Sequence, residues 1–173
     1  PQQDIWGAAL RGDLELLKKQ LAQGINVNVR AADGATPLVS AAVAGQLEIA
    51  QLLIEKGANI NTRNNNGDSP LHAAAFAGEL QVVQLLAKEG AKLNQRNNGG
   101  QTPLDNASRP WNDELEGIVS FLETALGIKF DRAKMKADRP KVAEFLAKNG
   151  GKLSQDLPKP SQGDLWNAAK SGD

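Results

Sequence analysis

The chain has 173 residues, with 20 basic and 20 acidic side chains, one His and no Cys. This length suits a single domain, and a hydrophobic fraction of 40% is too high for a disordered chain. Zero net charge removes the general attraction to phosphate backbones on which nucleic-acid binding depends. The absence of Cys excludes disulfides and thiolate sites, and a single His argues against His-based metal or acid–base clusters. Composition therefore argues against an enzyme, and we expect no cofactor and no metal.

The ends and the hydropathy of the chain give expectations about its location. No apolar run is long enough to cross a bilayer, and the N-terminus lacks the basic and apolar regions of a signal peptide. We expect a protein without membrane contact that is soluble, and either cytoplasmic or exported after removal of a signal peptide. The first residue is Pro1 rather than Met, which indicates a processed or trimmed chain.

A repeat with a step of 33 residues organises most of the chain. Residues of several different types recur with this same step, so the period is not a chance match. The recurring positions are Thr36-Pro37-Leu38, Ser69-Pro70-Leu71 and Thr102-Pro103-Leu104; Gly12, Gly45 and Gly78; Gly24, Gly57 and Gly90; Gly34, Gly67 and Gly100; and Asn28, Asn61 and Asn94.

Each unit predicts two helices and a tight loop. The first unit opens at Asp4, a good N-cap, and its second helix is polar where later units are apolar, which is typical of a terminal cap. In later units, Ser or Thr before Pro predicts the start of a short helix of small residues. A second helix follows, with apolar residues at helical spacing such as Leu80, Val83 and Leu86. The segment 94–100 is rich in Asn and Gly, which a tight hairpin requires.

Two stretches, Ser69-Pro70-Leu71-His72-Ala73-Ala74 and Gly57-Ala58-Asn59-Ile60-Asn61, resemble the signature of the ankyrin repeat. The resemblance covers about residues 4–154. It implies an all-α solenoid of stacked helix-turn-helix units with projecting β-hairpin loops, in about four repeats. It also implies that His72 is structural, with a ring that hydrogen-bonds backbone and holds neighbouring loops. The expected repeats are 4–35, 36–68, 69–101 and 102–154.

The fourth repeat departs from the period, because Trp111 stands where the register requires Gly. In one interpretation, residues 113–126 form the second helix of this repeat and residues 138–149 an extra capping helix. In the other, the segment ending at Gly150 is the true second helix, and a helical insertion near 111–137 precedes it. We favour the second interpretation, because 148–153 closely copies 88–93. The insertion would then lie across the end of the stack.

Beyond the array, residues 155–163 have the Pro-rich, polar composition of a linker. Residues 164–173 then repeat the pattern of residues 4–13, at a distance that is not a multiple of 33. We expect the start of a second array there, and hence a chain that is a fragment of a longer protein.

The candidate site is a partner-binding surface, with no catalytic or metal-binding residues. The resemblance implies that partners contact the loop tips and the exposed ends of the first helices. Leu10, Val43, Phe76 and Trp111 could form an apolar ladder there, rimmed by polar tips. Alternatively, Trp111 packs under the insertion and Phe76 is partly buried between repeats. The predicted contact residues are Arg11, Asp33, Val43, Asn65, Asn66, Asp68, Phe76, Asn98, Gln101, Arg109 and Trp111.

A local basic cluster offers a second candidate. Lys134, Lys136, Arg139 and Lys141 lie close together near the insertion, but Asp131 and Asp138 are interleaved with them. This mixture favours a solvated helix face over an anion site.

The function we predict is a protein–protein interaction module without catalysis, which binds an unidentified protein partner and does not bind nucleic acid or membranes. We expect a monomer. The alternative is a targeting or inhibitory domain of a larger enzyme, and a third hypothesis is a spacer between other domains. Partner and process do not follow from the scaffold, because function in repeat proteins lies in surface residues.

Overall fold

A computed structural model describes residues 4–159 of the chain, and this part contains helices and turns but no assigned strand. The all-α prediction is confirmed. None of the helices in the described part is long and apolar enough to cross a membrane. The helices are α1 (Ile5–Arg11), α2 (Leu14–Ala22), α3 (Pro37–Val43), α4 (Leu47–Glu55), α5 (Pro70–Ala77), α6 (Leu80–Lys88), α7 (Pro103–Ser108), α8 (Asp113–Leu126) and α9 (Arg132–Lys148), and a 3-10 turn follows at Ser154–Asp156.

The short helices α3, α5 and α7 begin where the Ser/Thr-Pro pairs predict. In each case the hydroxyl oxygen of the capping residue, Thr36, Ser69 or Thr102, accepts a hydrogen bond from a backbone N–H in the first turn. The following Pro occupies the first helical position, where its missing N–H would have had no helical partner. Local sequence therefore fixes the start of each repeat.

The helices form two layers. The inner layer consists of α1, α3, α5 and α7, each packed on the next, and the outer helices α2, α4 and α6 pack on the inner helix of their own repeat. Small residues such as Ala41 and Ala74 are fully buried between inner helices and allow their backbones to approach closely. One continuous core extends from Ile5 to Leu146, so stability comes largely from contacts between neighbouring repeats.

Three loops project from the inner layer as hairpins. They are closed by hydrogen bonds of 2.9 Å from Ala31 N–H to the Ala35 carbonyl, from Asn64 to Asp68, and from Asn97 to Gln101. In the middle loop, Gly67 has φ 79°, a left-handed conformation that glycine adopts without strain. The expected hairpin shape is present, although no residue of the described part is assigned to a strand.

The fourth unit replaces one short outer helix by two long helices. The C-terminal part of α9 packs on α7, α5 and α6, and its Val142 and Leu146 belong to the main core. The side chain of Asn94 donates to the Gly150 carbonyl (3.0 Å) and accepts from Lys152 N–H (2.7 Å). Asn61 makes the same pair of contacts one repeat earlier, with Gly90 and Lys92. These contacts favour the interpretation with an insertion, and the division of the chain into repeats stays a proposal.

The insertion contains buried apolar side chains that are not part of the main core. Leu115, Val119 and Met135 are almost fully buried but lie outside the main core. Beside them, the Arg132 guanidinium donates to both oxygens of the buried Glu123 (2.7 and 3.2 Å) and to Glu116. The residues expected to start a second array, 164–173, lie outside the described part of the chain.

Candidate functional site

The concave side of the stack contains a cavity of about 560 Å³, which we call the groove. Its floor is formed by the exposed parts of the inner helices, and the hairpin loops form one side. Leu10, Val39, Val43, Ala73 and Phe76 supply the apolar floor. An apolar floor with polar margins is typical of a binding surface.

The groove is lined by three carboxylates, from Asp4, Asp33 and Asp68, and by two guanidinium groups, from Arg11 and Arg109. Arg11 is paired with Asp4 (2.8 Å), and Arg109 is paired with Glu114 (2.6 Å). Asp33 and Asp68 also line the groove, and neither forms an ion pair with any residue that the structure describes. The groove therefore presents two uncompensated carboxylates next to its apolar floor.

Helix α8 forms a further side of the groove, which sequence reasoning did not predict. Ile118, Leu122, Ala125 and Leu126 line the same cavity as Leu10 and Arg11 of the first repeat. The expectation that the insertion lies across the end of the stack was therefore incomplete. The available signal was the width of the apolar face of α8, which exceeds what the buried positions Leu115 and Val119 use.

The structure brings most of the predicted contact residues together. Asn66 and Gln101 line the groove from the hairpins, and Val43 and Phe76 from the floor. Those that line the groove are Arg11, Asp33, Val43, Asn66, Asp68, Phe76, Gln101 and Arg109.

Asn65 and Asn98 do not line the groove, because they connect neighbouring hairpins. The Asn65 amide group donates to the Ala32 carbonyl (3.0 Å), and that of Asn98 donates to the Asn65 carbonyl (2.9 Å). Both side chains thus make contacts one repeat apart that hold the loops in register. A sequence signal existed, since the two Asn are 33 residues apart, but spacing alone does not distinguish a loop-to-loop contact from a partner contact.

Trp111 lies apart from the apolar ladder in which it was expected. It lines a different cavity, and its indole N–H donates to Glu116 (2.9 Å). The guanidinium carbon of Arg139 is 5.8 Å from the centre of the Phe76 ring and 6.0 Å from that of Trp111. Arg139 therefore approaches both rings, and this placement corresponds to the alternative in which Trp111 packs under the insertion.

His72 has the structural role that the resemblance implied. Its Nδ1 accepts from the Ser69 backbone N–H (3.2 Å), so its Nε2 carries the hydrogen that is donated to the Gln101 carbonyl (3.0 Å). Burial lowers the pKa of His72, which keeps the ring neutral. The ring ties α5 to the next hairpin, and both of its nitrogens are occupied.

The fold defines a helical repeat protein whose inner helices and hairpin loops line a groove. The sequence matches a family model described as "Ankyrin repeats (3 copies)" over residues 5–97 and 60–131, which is more than half of the chain. The chain therefore belongs to the ankyrin-repeat family. A search of curated proteins gave no match.

We searched the described part of the chain for side-chain groups that could bind a metal ion. No group of three or more His, Asp or Glu residues is placed there to hold a metal ion. The carboxylates that line the groove serve as hydrogen-bond acceptors in hairpins or in the Arg11 ion pair.

Proposed function

We propose that the groove binds an extended segment of a partner protein and that the chain contributes recognition rather than catalysis. Ankyrin repeats are generally protein–protein interaction modules, which supports the class of function. The observation that carries the proposal is the groove itself, which joins an apolar floor, the carboxylates of Asp33 and Asp68 and the apolar face of α8.

The rigidity of the groove supports this role. The hairpins are joined to each other by Asn65 and Asn98, and Arg30 of one hairpin donates to the Arg63 carbonyl of the next (2.8 Å). A surface that is held in place before binding loses little conformational entropy on association. The chain can therefore bind a flexible peptide without ordering loops of its own.

The charges of the groove define the chemistry of the partner. Asp33 and Asp68 favour Lys or Arg on the bound segment, and Phe76 with Leu122 favours a neighbouring apolar side chain. We infer a partner segment in which a basic residue lies next to an apolar one. The alternative, a targeting or inhibitory domain of a larger enzyme, uses the same groove, with the enzyme's own segment or substrate as the occupant.

A random peptide library displayed on phage tests the proposal, because selection from it does not require the partner to be identified. Peptides selected on the wild-type protein should be enriched in Lys or Arg next to an apolar residue. Their binding should be lost in the double variant Phe76→Ala and Asn66→Ala, since both side chains line the groove.

The matched control carries Gln51→Ala and Gln84→Ala, two exposed positions on the outer helices α4 and α6. Circular dichroism checks that both double variants are folded. If the folded groove variant retains the selected peptides, the binding surface lies elsewhere and the proposal is wrong.

A further inference from the structure

A second cavity, of about 410 Å³, lies between the end of α7 and α9. We call it the basic cavity, because Arg109, Lys136 and Arg139 line it and no carboxylate does. It shares Arg109 with the groove but none of the groove's apolar floor.

The basic residues on α9 differ in their pairing. Lys134 is paired with Glu79 (2.8 Å) and Lys141 with Asp138 (2.7 Å), so these two charges are compensated on the protein surface. Within the part of the chain that the structure describes, Lys136 and Arg139 form no ion pair. Of the four residues in the basic cluster, the two that line the cavity are therefore the two without a carboxylate.

Arg139 is the more unusual of the two, because only 3% of it is exposed. One terminal nitrogen donates to the Asn106 carbonyl, while the buried Nε has no hydrogen-bond partner among the described residues. The rings of Phe76 and Trp111 stabilise the cation in part. Burial, and then the charge of Arg109, lower the pKa of Arg139. An anion near this guanidinium would favour its charged form and so offset both effects on the pKa.

The walls of the cavity suit a flat apolar group. Pro110, Pro140 and Trp111 line it, and the Lys136 ammonium lies 4.8 Å from the centre of the Trp111 ring. The hydrogen bond from the indole N–H to Glu116 fixes the position of that ring. The cavity thus combines an aromatic face with two cations that form no ion pair with the described residues, and Glu116 beside the ring also attracts the Lys136 charge.

We propose that the basic cavity binds a small organic anion, with its carboxylate or phosphate between Lys136 and Arg139 and its apolar body against Trp111. This site adjoins the proposed peptide groove, with which it shares Arg109, but its other lining residues are different. It assigns an anion-binding role to two residues of a cluster whose sequence alone favours a solvated helix face.

Phenyl phosphate is a suitable probe, and phenol is the control that keeps the ring but lacks the charge. The readout is the indole N–H signal of Trp111 in a nitrogen–proton NMR spectrum of the full chain, assigned with the variant Trp111→Phe. We expect phenyl phosphate to shift this signal saturably, and more weakly at high salt because the attraction is partly screened. Phenol should give a shift at least tenfold weaker at equal concentration.

The variant that tests the site is Lys136→Gln, since Lys136 is exposed, and circular dichroism checks that this variant is folded. Lys141→Gln is the matched control on the same helix. We expect Lys136→Gln to weaken phenyl phosphate binding at least tenfold and Lys141→Gln to leave it unchanged. Equal binding by both variants, an equal response to phenol, or no saturable shift in the wild type would each overturn the proposal.

Discussion

The first three repeats and the fourth unit solve the same packing problem in different ways. Repeats one to three end in short outer helices of nine residues, whose apolar side is used up by the stack. The fourth unit ends in α9, which has 17 residues. Within this unit, α9 is preceded by α8, which has 14 residues. The extra length provides surface that the stack does not need, and that surface lines both cavities.

The comparison shows which parts of the surface are constrained by the repeat pattern and which are not. In the regular region, hydrogen bonds that recur every 33 residues, from Asn28 and Asn61 and from Asn65 and Asn98, connect neighbouring repeats. In the fourth unit, side chains without such a constraint face open space, including Leu122 on α8 and Lys136 on α9. The regular region is held by repeated contacts, and under the proposed function the irregular region provides the side chains that select the partner.

The largest expected difference between the regions concerns their buried leucines. Leu71 and Leu115 are both fully buried, but only Leu71 belongs to the continuous core. We expect Leu71→Ala to lower the free energy of unfolding by about 2–5 kcal/mol, as large core truncations do. Leu115→Ala should mainly lower the hydrogen-exchange protection of α8, with a smaller effect on the main transition. Equal losses in urea denaturation would show that the insertion is part of the same cooperative core.

A pair of glycines tests how closely α9 approaches the stack. Gly78 and Gly90 both have positive φ, 78° and 92°, so replacement by Ala strains either backbone by about 1–2 kcal/mol. A Cβ on Gly90 would meet nothing within 4 Å, whereas one on Gly78 would lie 3.2 Å from the backbone N of Arg139.

We therefore expect Gly78→Ala to cost about 1–3 kcal/mol more than Gly90→Ala in urea denaturation. Equal costs for the two variants would contradict the close packing of α9 on the third repeat.

The paired hydrogen bonds of Asn61 and Asn94 test whether the segment after α9 is joined to the stack in the same way as a regular repeat. Asn61 ties the second repeat to the third, and Asn94 ties the third repeat to residues that follow α9. Each Ala variant loses two hydrogen bonds, so we expect each to lower the free energy of unfolding by about 1–3 kcal/mol. A loss for Asn61→Ala without a loss for Asn94→Ala would separate α9 from the repeat pattern.

Two further predictions concern the effect of pH on stability. The regular region and the insertion each contain a titratable group, and these two groups respond in different pH ranges. In the regular region, burial lowers the pKa of His72 from its usual value of 6.5. Between the lowered pKa and 6.5, the unfolded state therefore binds more protons than the folded state. The free energy of unfolding should fall as the pH drops below about 6.5. The variant His72→Gln, which removes the only His, should remove this slope. A slope that persists in the variant would contradict the assignment.

In the insertion, hydrogen bonds from Arg132 and from the Phe130 backbone lower the pKa of Glu123 to about 2. The stabilisation from this contact is complete above the ordinary pKa of 4.5 and is lost as the pH falls towards 2. Carbon NMR of the Glu123 carboxyl should show this titration, and Glu123→Gln is the control. A midpoint near 4.5 would mean that the Arg132 contact is absent in solution.

The sequence predicted the repeated parts of the molecule because their structure is local. Caps such as Ser69 and positive-φ glycines such as Gly67 need only their neighbours, and His72 occupies a position whose role the resemblance implied. The width of the apolar face of α8 indicated a further contact but not its partner, because that face could have packed on the end of the stack or beside the groove. The sequence left two positions open for Trp111, because its cavity is lined in part by residues of α9 that lie 25 or more positions further along the chain.

The central claim is that α8 and the repeats together form one binding groove. It is tested most directly by the dissociation constant of a peptide selected on the wild-type protein, measured for Leu122→Ala and Phe121→Ala. These neighbours on α8 differ in one respect: Leu122 lines the groove, whereas Phe121 is 71% exposed and does not. We predict that Leu122→Ala weakens binding about tenfold, the loss of one well-packed anchor, and that Phe121→Ala leaves it unchanged. Unchanged binding by Leu122→Ala, with or without a loss for Phe121→Ala, would contradict the account.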